Sequence, residues 1–302
     1  MCFLQTSILL SQTKNLAQRL GYEKDAKLLI VHADDIGMAH SVNSATMQAF
    51  EKSGINSASI MVPCPWFPEI AAYARENSAM DLGLHLTLTS EWKYYKWGPV
   101  TSKDSVPGLV NEDGYLYPLV PDFIANAKAE EVEIELRNQI KKAYRFGIDV
   151  THLDAHMGAA VSTPEYAAVY MKVGKEFQLP VLLDKRVYTM ADPHIKSLLD
   201  DKTVVVDRLY IAEPPDFEKG MKQYYSGVLQ NLSPGLNGIL IHLAYDDQEM
   251  QAVTVDHPDY GAAWRQADFD FFTSAECAQL LTDNDIILVT WRELRDKIVR
   301  SE

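Results

Sequence analysis

The sequence is poor in cysteine, in positive charge and in long apolar runs, and each shortage excludes a class of protein. Its three cysteines, Cys2, Cys64 and Cys277, form no CxxC pair, so no disulfide framework is expected. Lys and Arg total 28 against 42 Asp and Glu, a net charge of −14. Because such a surface repels nucleic acid and anionic membranes, neither is expected as the main partner. No apolar run reaches the roughly 18 residues that would predict a membrane span.

The length of 302 residues, with 47% hydrophobic content, suits one domain of barrel size. We expect an N-terminal extension with a short helix over residues 1–26 and a single domain over residues 27–297, because no repeat or linker interrupts the sequence. Residues 1–12 fit two locations. They are either an ordinary cytoplasmic N-terminus or the remnant of a signal peptide in an exported, periplasmic protein, although the basic segment of such a peptide is missing.

An apolar strand that ends in two carboxylates organises our interpretation of the chain. Residues 28–31 are continuously apolar, and Asp34 and Asp35 follow shortly before Gly37. A continuous apolar run is typical of a strand buried on both faces of a parallel sheet. One aspartate at a strand end is usually a helix cap, but a cap needs a single acceptor. Two buried carboxylates therefore indicate a compensating cation.

Strand-like and helix-like segments alternate along most of the sequence. Strands are predicted near residues 28–34, 57–62, 82–88, 150–154, 181–183, 204–209, 238–244 and 286–289. This alternation predicts an α/β fold, a single-domain distorted TIM-like (β/α) barrel with seven or eight parallel strands. The exception is a stretch at 90–125 without helical period, which contains Trp92 and Trp97. Long loops of this kind are more often functional than accidental, and flat aromatic rings suit a sugar.

Histidines and carboxylates fall at the ends of four predicted strands, where the functional residues of parallel α/β folds collect. They are Asp34 and Asp35, then His85, then His152, Asp154 and His156, and finally His242. A lone histidine is more often a core residue. One carboxylate and two histidines at the same barrel mouth, however, are typical of a divalent metal site with positions open for water and substrate. Such ligands suit both Mg²⁺ and Zn²⁺.

Several segments together resemble the YdjC-like carbohydrate deacetylases, a family related to polysaccharide deacetylases that includes chitooligosaccharide deacetylases. The family's Ala-Asp-Asp-Phe-Gly, Gly-x-His-x-x-Leu-Thr and Thr-His-x-Asp-x-His segments are similar to residues 33–37, 83–89 and 151–156. Single residues of the family resemble Asn43, His242 and Arg265. Two positions depart from the family pattern: Gly158 replaces a further His, and Leu243 replaces Pro.

The resemblance, which covers about residues 27–297, implies a hydrolase that removes N-acetyl groups from an amino sugar or oligosaccharide and releases acetate. It implies one divalent metal ion, Mg²⁺ or Zn²⁺, held by Asp35, His85 and His156. Asp34 would be the general base, and His242, as an imidazolium, would donate to the leaving amine. Supporting or substrate-binding roles are expected for His152, Asp154, Trp92, Trp97 and Arg265, and His152 or Asp154 would orient His156.

Two other functions stay open. One is a metal-dependent hydrolase of another amide, ester or phosphoester, and the other is a non-catalytic carbohydrate-binding barrel. A glycosidase fits less well, because adjacent aspartates cannot flank a glycosidic bond at the required separation of about 5 Å or more. The expected partner is an acetylated amino sugar, and a homodimer is left open as an assembly.

Overall fold

The computed structural model describes residues 14–186 and 193–301. Its strands are β1 (Lys27–Ile36), β2 (Ser57–Ile60), β3 (Leu82–Leu86), β4 (Leu153–Ala155), β5 (Arg208–Ile211), β6 (Gly235–His242) and β7 (Ile286–Leu288). Its α-helices are α1 (Leu16–Leu20), α2 (His40–Glu51), α3 (Phe67–Glu76), α4 (Val120–Asn126), α5 (Ala129–Arg145), α6 (Pro164–Phe177), α7 (Pro193–Ser197), α8 (Pro214–Lys219), α9 (Met221–Gln230), α10 (Gln248–Val253), α11 (Ala262–Phe272), α12 (Ala275–Asp283) and α13 (Trp291–Leu294). Two 3-10 segments, Pro107–Leu109 and His156–Val161, and a π-helical turn, Arg295–Val299, are also present.

Among the described helices, none combines the length and the apolar character that a bilayer crossing requires. Residues 1–12, and with them the expectation about a signal peptide, lie outside the described residues. Helix α1 buries Ala17 and Leu20 against the rest of the chain. The boundary that we place between residues 26 and 27 stays a prediction.

The seven strands form one sheet in which the pairings are parallel, with the order β4-β3-β2-β1-β6-β5. β1 lies at its centre. One edge of β1 pairs with β6 from Lys27 to Asp34, while the other edge pairs first with β7 and then with β2. The sheet forms a half-barrel, and helices surround it. This arrangement confirms the predicted α/β fold, a distorted TIM-like barrel.

The residues of β1 alternate between two hydrophobic clusters. Leu28 and Ile30 belong to the cluster that also contains Val206, Leu236 and Trp291. Leu29 and Val31 belong to the larger cluster, which includes the buried face of α2. β1 is therefore buried on both sides, as its continuous apolar run predicts.

The end of β1 departs from the two-residue period of a regular strand. Its pairing with β2 shifts between Ala33 and Ile36, and Asp35 has a φ of 69°. A β-bulge re-aims side chains, and its left-handed backbone is costly for a residue other than glycine. As a result the carboxylates of Asp34 and Asp35 both approach the His85 ring, although adjacent strand residues normally point to opposite faces.

The segment at 90–125 contains more regular structure than its sequence predicts. It includes the 3-10 segment Pro107–Leu109, an antiparallel bridge between Val110 and Leu116, and helix α4. The helical period is hidden because α4 is only seven residues long and buries Phe123 alone. The predicted strand at 181–183 is reduced to a single bridge between Val181 and Leu153.

Candidate metal and catalytic site

The Asp35 carboxylate divides its two oxygens between two histidines and an arginine. Oδ1 lies 3.4 Å from His85 Nε2 and 3.4 Å from His156 Nδ1, and it is buried without a hydrogen-bond partner. Oδ2 accepts a hydrogen bond of 2.7 Å from Arg265 Nη2. Burial opposes ionisation, but Arg265 and His156 hold the pKa of Asp35 well below its usual range, so the group is a carboxylate.

Asp35, His85 and His156 fit a divalent cation. Each offers one ligand atom, and the three atoms lie within 4.8 Å of one another. A carboxylate oxygen and two imidazole nitrogens form a donor set that Zn²⁺ and several other divalent ions accept. A cation here would also satisfy Asp35 Oδ1, whose burial without a donor is otherwise costly.

The far nitrogen of each candidate ligand histidine is held by a carboxylate. His85 Nδ1 lies 2.9 Å from Asp154 Oδ1, and His156 Nε2 lies 2.9 Å from Glu91 Oε2. Each far nitrogen can donate its proton to the carboxylate, which leaves the nitrogen that faces Asp35 free to bind a metal. This pairing is the usual way in which proteins fix the tautomer and orientation of metal-bound imidazoles.

The structure corrects the expectation that His152 or Asp154 orients His156. Asp154 contacts His85 instead. The His152 ring is buried, stacks on Trp291 with centroids 5.0 Å apart, and has a pKa well below its usual value because of burial. His152 is therefore a neutral core residue beneath the site.

Glu91, which holds His156, is absent from the site residues predicted from sequence. It lies at the start of the 90–125 segment with its side chain 9% exposed, and its pKa is lowered by His156 against the opposing effect of burial. The usable signal was an acidic residue shortly after the predicted strand that contains His85. Acids in loops are common, so this position did not stand out.

His32 contacts both Asp34 and Asp154, the two site aspartates that are not predicted metal ligands. Its Nε2 lies 2.9 Å from Asp154 Oδ2 and 3.1 Å from Asp34 Oδ1, while Nδ1 contacts Ser57 Oγ at 2.9 Å. Burial alone would lower the pKa of His32, but Asp154 and Asp34 outweigh it and raise the pKa to about 10. A positive ring therefore lies beside Asp34.

Asp34 lies between the candidate metal ligands and His242. Its Oδ2 is 4.0 Å from His85 Nε2 and 3.9 Å from His242 Nε2. Burial lowers the pKa of His242 to about 4, with Arg265 adding to the effect. His242 is therefore neutral near pH 7, whereas our sequence-based hypothesis requires an imidazolium.

The chain resembles known proteins over nearly its whole length. The sequence pattern of the YdjC-like protein family matches residues 28–283. The chain belongs to the YdjC-like family. A protein of Thermus thermophilus named carbohydrate deacetylase is 31% identical, with 94% of this chain and 99% of the relative covered. A Thermoanaerobacter pseudethanolicus protein of the same name is 27% identical, with 89% of this chain and 100% of the relative covered.

A crystal structure from Enterococcus faecalis V583, described as that of a candidate cellobiose-phosphate cleavage protein, has the same fold. It superposes with a TM-score of 0.73 at 22% sequence identity and covers 89% of this chain and 99% of its own. This likeness supports the barrel architecture alone.

Two predicted sugar-binding aromatics of this YdjC-like protein lie in its core. Trp92 and Trp97 are 2% and 3% exposed, so neither presents a ring face to a ligand. Their indole N–H groups donate to Met38 Sδ and to the Thr89 carbonyl. The expectation of a sugar platform at these residues is therefore corrected, because the loop folds back and buries them.

Arg265, for which we expected a supporting or substrate-binding role, lies behind Asp35. Its Nη2 donates to Asp35, its Nε donates to the Tyr260 carbonyl, and its guanidinium lies 5.6 Å from the Trp92 ring centroid. The side chain is almost completely buried. This geometry favours the supporting role, since Arg265 occupies one oxygen of Asp35 and leaves the other for a cation.

Proposed function

We propose that this protein is a metal-dependent carbohydrate deacetylase that hydrolyses the N-acetyl group of an amino sugar or oligosaccharide and releases acetate. The observation that carries the proposal is the buried, unpaired Oδ1 of Asp35, which faces His85 and His156 with Asp34 beside it. Relatives named carbohydrate deacetylase, matched over 89% to 94% of this chain, support the same activity.

The proposed ligand set supports a specific chemistry for the first step. A divalent cation, Mg²⁺ or Zn²⁺, held by Asp35, His85 and His156 would supply Lewis-acid activation of water and of the acetyl carbonyl. Asp34 acts as the general base and accepts the proton of the attacking water. The positive ring of His32, 3.1 Å from Asp34, keeps this base oriented.

The departing amine needs a proton, and neutral His242 lacks the second ring proton that an imidazolium would donate in the resting state. The proton therefore comes from the attacking water through Asp34, whose Oδ2 lies 3.9 Å from His242 Nε2. His242 passes the proton to the amine nitrogen as the carbon–nitrogen bond breaks. His242 thus transfers a proton that it receives during the reaction and does not donate one that it holds beforehand.

The proposal is tested by measuring acetate release from a panel of N-acetylated sugars, using metal-stripped protein with Mg²⁺ or Zn²⁺ added back. We expect turnover to return with the metal. Asp34→Asn should retain the metal but lose at least about 10²-fold in turnover, the usual share of a general base. Asp104→Asn, an exposed loop aspartate changed in the same way, should behave like the parent protein. Full activity of Asp34→Asn would remove the base assignment.

The same panel separates the other two functions. Turnover of phosphoesters or simple esters, without acetate release from amides, would replace deacetylation with another hydrolysis. Sugar binding that survives Asp34→Asn, without turnover of any substrate, would indicate a carbohydrate-binding barrel.

A further inference from the structure

The half-barrel is open on one side, and a cavity lies in the opening. β4 and β5 are the two ends of the sheet order, and among the described residues no ladder joins them. Only the single bridges Leu153–Val181 and Asp184–Val206 extend the sheet toward closure in the part of the chain that the structure describes. The cavity between these edges has a volume of about 710 Å³.

The walls of this cavity are mainly apolar. The sheet contributes Leu209, Ile211 and Leu240, and α6 contributes Ala167 and Tyr170. Ile211 is 40% exposed, a large apolar side chain facing open space. Such surface gains free energy when an apolar ligand group covers it.

The apolar wall continues directly into the candidate catalytic site. Leu240 is the register partner of Ile211, and two residues further along the same face of β6 is His242, the register partner of Asp34. A ligand group that contacts Leu240 is therefore about 7 Å, the rise of two strand residues, from His242 and Asp34.

The inner end of the cavity identifies which part of a substrate could enter it. Asp34 and His85 line this end, whereas His242 and His156 do not. In the proposed reaction the acyl carbon is attacked beside the base, Asp34, and the leaving amine takes its proton from His242, so the acyl group is the part of the substrate on the cavity side. Gly158, also at this end, leaves the space open, because a Cβ built there would meet no atom within 4 Å.

We propose that this cavity binds the acyl chain of the substrate, so that the preferred substrate is an amino sugar whose nitrogen carries an acyl group longer than acetyl. The inference rests on the proposed function and names its substrate class. An acetyl methyl group needs only about the volume of one water molecule, roughly 30 Å³, a small part of the 710 Å³ present.

The reaction is the same amide hydrolysis. Water adds to the acyl carbon and gives one proton to Asp34, the carbon–nitrogen bond breaks, and the amine nitrogen takes up that proton. The products are the free amino sugar and the carboxylic acid of the acyl chain, and no other reactant is needed.

The test compares N-acetyl-, N-butyryl-, N-hexanoyl- and N-octanoylglucosamine with metal-loaded enzyme, by assay of the released amine. We expect kcat/KM to rise with chain length, by up to about fourfold for each buried methylene. Calorimetry should also show hexanoate binding more tightly than acetate, a readout that does not depend on turnover.

Ala167→Phe fills the cavity from α6, and Ala168→Phe places the same side chain one residue further along, outside the cavity lining. The first variant should lose the advantage of long chains while keeping acetyl turnover, and the second should keep both. Ile211→Asn, at a site exposed enough to accept a polar residue, should also reduce the advantage of long chains if Ala167→Phe fails to fold.

Acetyl turnover with a flat or falling response to chain length would overturn the acyl-chain inference and leave the deacetylase proposal standing. A preference for apolar aglycones that is independent of acyl length would overturn it as well. If no N-acyl sugar is cleaved at any chain length, the proposed function itself fails.

Discussion

His85 and His156 face the same oxygen of Asp35, but different parts of the chain orient them. His85 is held by Asp154, and these two residues are register partners in the ladder between β3 and β4. His156 is held by Glu91, which lies in the segment at 90–125. The first pairing follows from sheet geometry, whereas the second requires a loop to fold over the site.

The two carboxylates also differ in what else depends on them. Asp154 accepts hydrogen bonds from His32 and Ser59 in addition to His85. Glu91 pairs with His156 beside two tryptophans that the loop buries. The sheet-borne half of the site, His85 with Asp154, is therefore expected to contribute more to fold stability than the loop-borne half, His156 with Glu91, because Asp154 holds three side chains and Glu91 holds one.

The largest effect is expected where the two halves meet. Asp35→Asn removes the charged oxygen that both histidines face, so metal retention and turnover should fall to background. The fold should persist, because an asparagine oxygen can still accept the Arg265 hydrogen bond. Metal content after dialysis and the thermal unfolding midpoint check both statements. If the variant retains metal at the parental stoichiometry, the ligands would instead be the alternative group of Asp34, His85 and Asp154.

Breaking the sheet-borne half should lower both metal affinity and stability. Asp154→Asn is expected to weaken metal binding by about 10–100-fold, since it perturbs the tautomer of His85. It should also lower the free energy of unfolding by up to about 3–5 kcal/mol, because positive His32 loses one of its two buried carboxylate partners and His85 loses its only one on that side. Metal titration and denaturant unfolding of the metal-free protein measure the two effects separately. Unchanged stability would contradict the structural role of this half.

Breaking the loop-borne half should lower metal affinity and should lower stability by less than breaking the sheet-borne half. Glu91→Gln is expected to weaken metal binding by about tenfold. The free energy of unfolding should fall by about 1.5–3 kcal/mol, the usual value of one hydrogen bond to a charged group, because Glu91 helps to raise the pKa of His156 to about 10 in the metal-free protein. The same titration and unfolding experiments apply. If Glu91→Gln and Asp154→Asn destabilise the protein equally, the contrast between the two halves is lost.

The smallest effect concerns Asp268, a buried carboxylate that pairs with neutral donors, whereas Asp154 and Glu91 pair with the candidate ligand histidines. Asp268 accepts the His242 backbone N–H and the Tyr225 hydroxyl, and burial raises its pKa to about 7. Because the folded state holds the proton more tightly than the unfolded state, the stability contribution is full below about pH 4 and is lost as the pH rises through about 7.

Asp268→Asn removes this titration, so the variant should gain in thermal midpoint relative to the parent protein between pH 5 and pH 8. Scanning calorimetry across this range measures the difference. Asp270→Asn, an exposed aspartate on the same helix α11, is the matched control and should follow the parent curve. A constant difference across the pH range would show that Asp268 is already ionised at pH 5.

Much of the sheet-borne site could be predicted from sequence. The apolar run of β1, the alternation of strands and helices, and the position of His85 at a strand end all depend on local pattern. Parallel strands bring their carboxyl ends to one edge, so Asp34, Asp35, His85 and His156 were expected to meet. The sequence alone does not show that Asp154 holds His85, and that neither Asp154 nor His152 holds His156, because the register between β3 and β4 is a long-range property.

The loop-borne features could not be predicted in the same way. Burial of Trp92 and Trp97, and the contact between Glu91 and His156, depend on how a segment without periodicity packs on the barrel. Aromatic residues in a sequence do not reveal whether their faces are exposed or covered. Loop acids carry no pattern that separates a ligand-orienting carboxylate from a solvated one.

The sequence by itself determined the fold class, the family and the residue types that could hold a metal, because these follow from hydrophobic period and from motifs along the chain. The tertiary structure alone decided how the groups are paired. It turned Asp35 inward through a β-bulge, placed Arg265 on one of its oxygens and left the other facing two histidines. Each of these contacts joins residues far apart in sequence or depends on a backbone strain that no local pattern encodes.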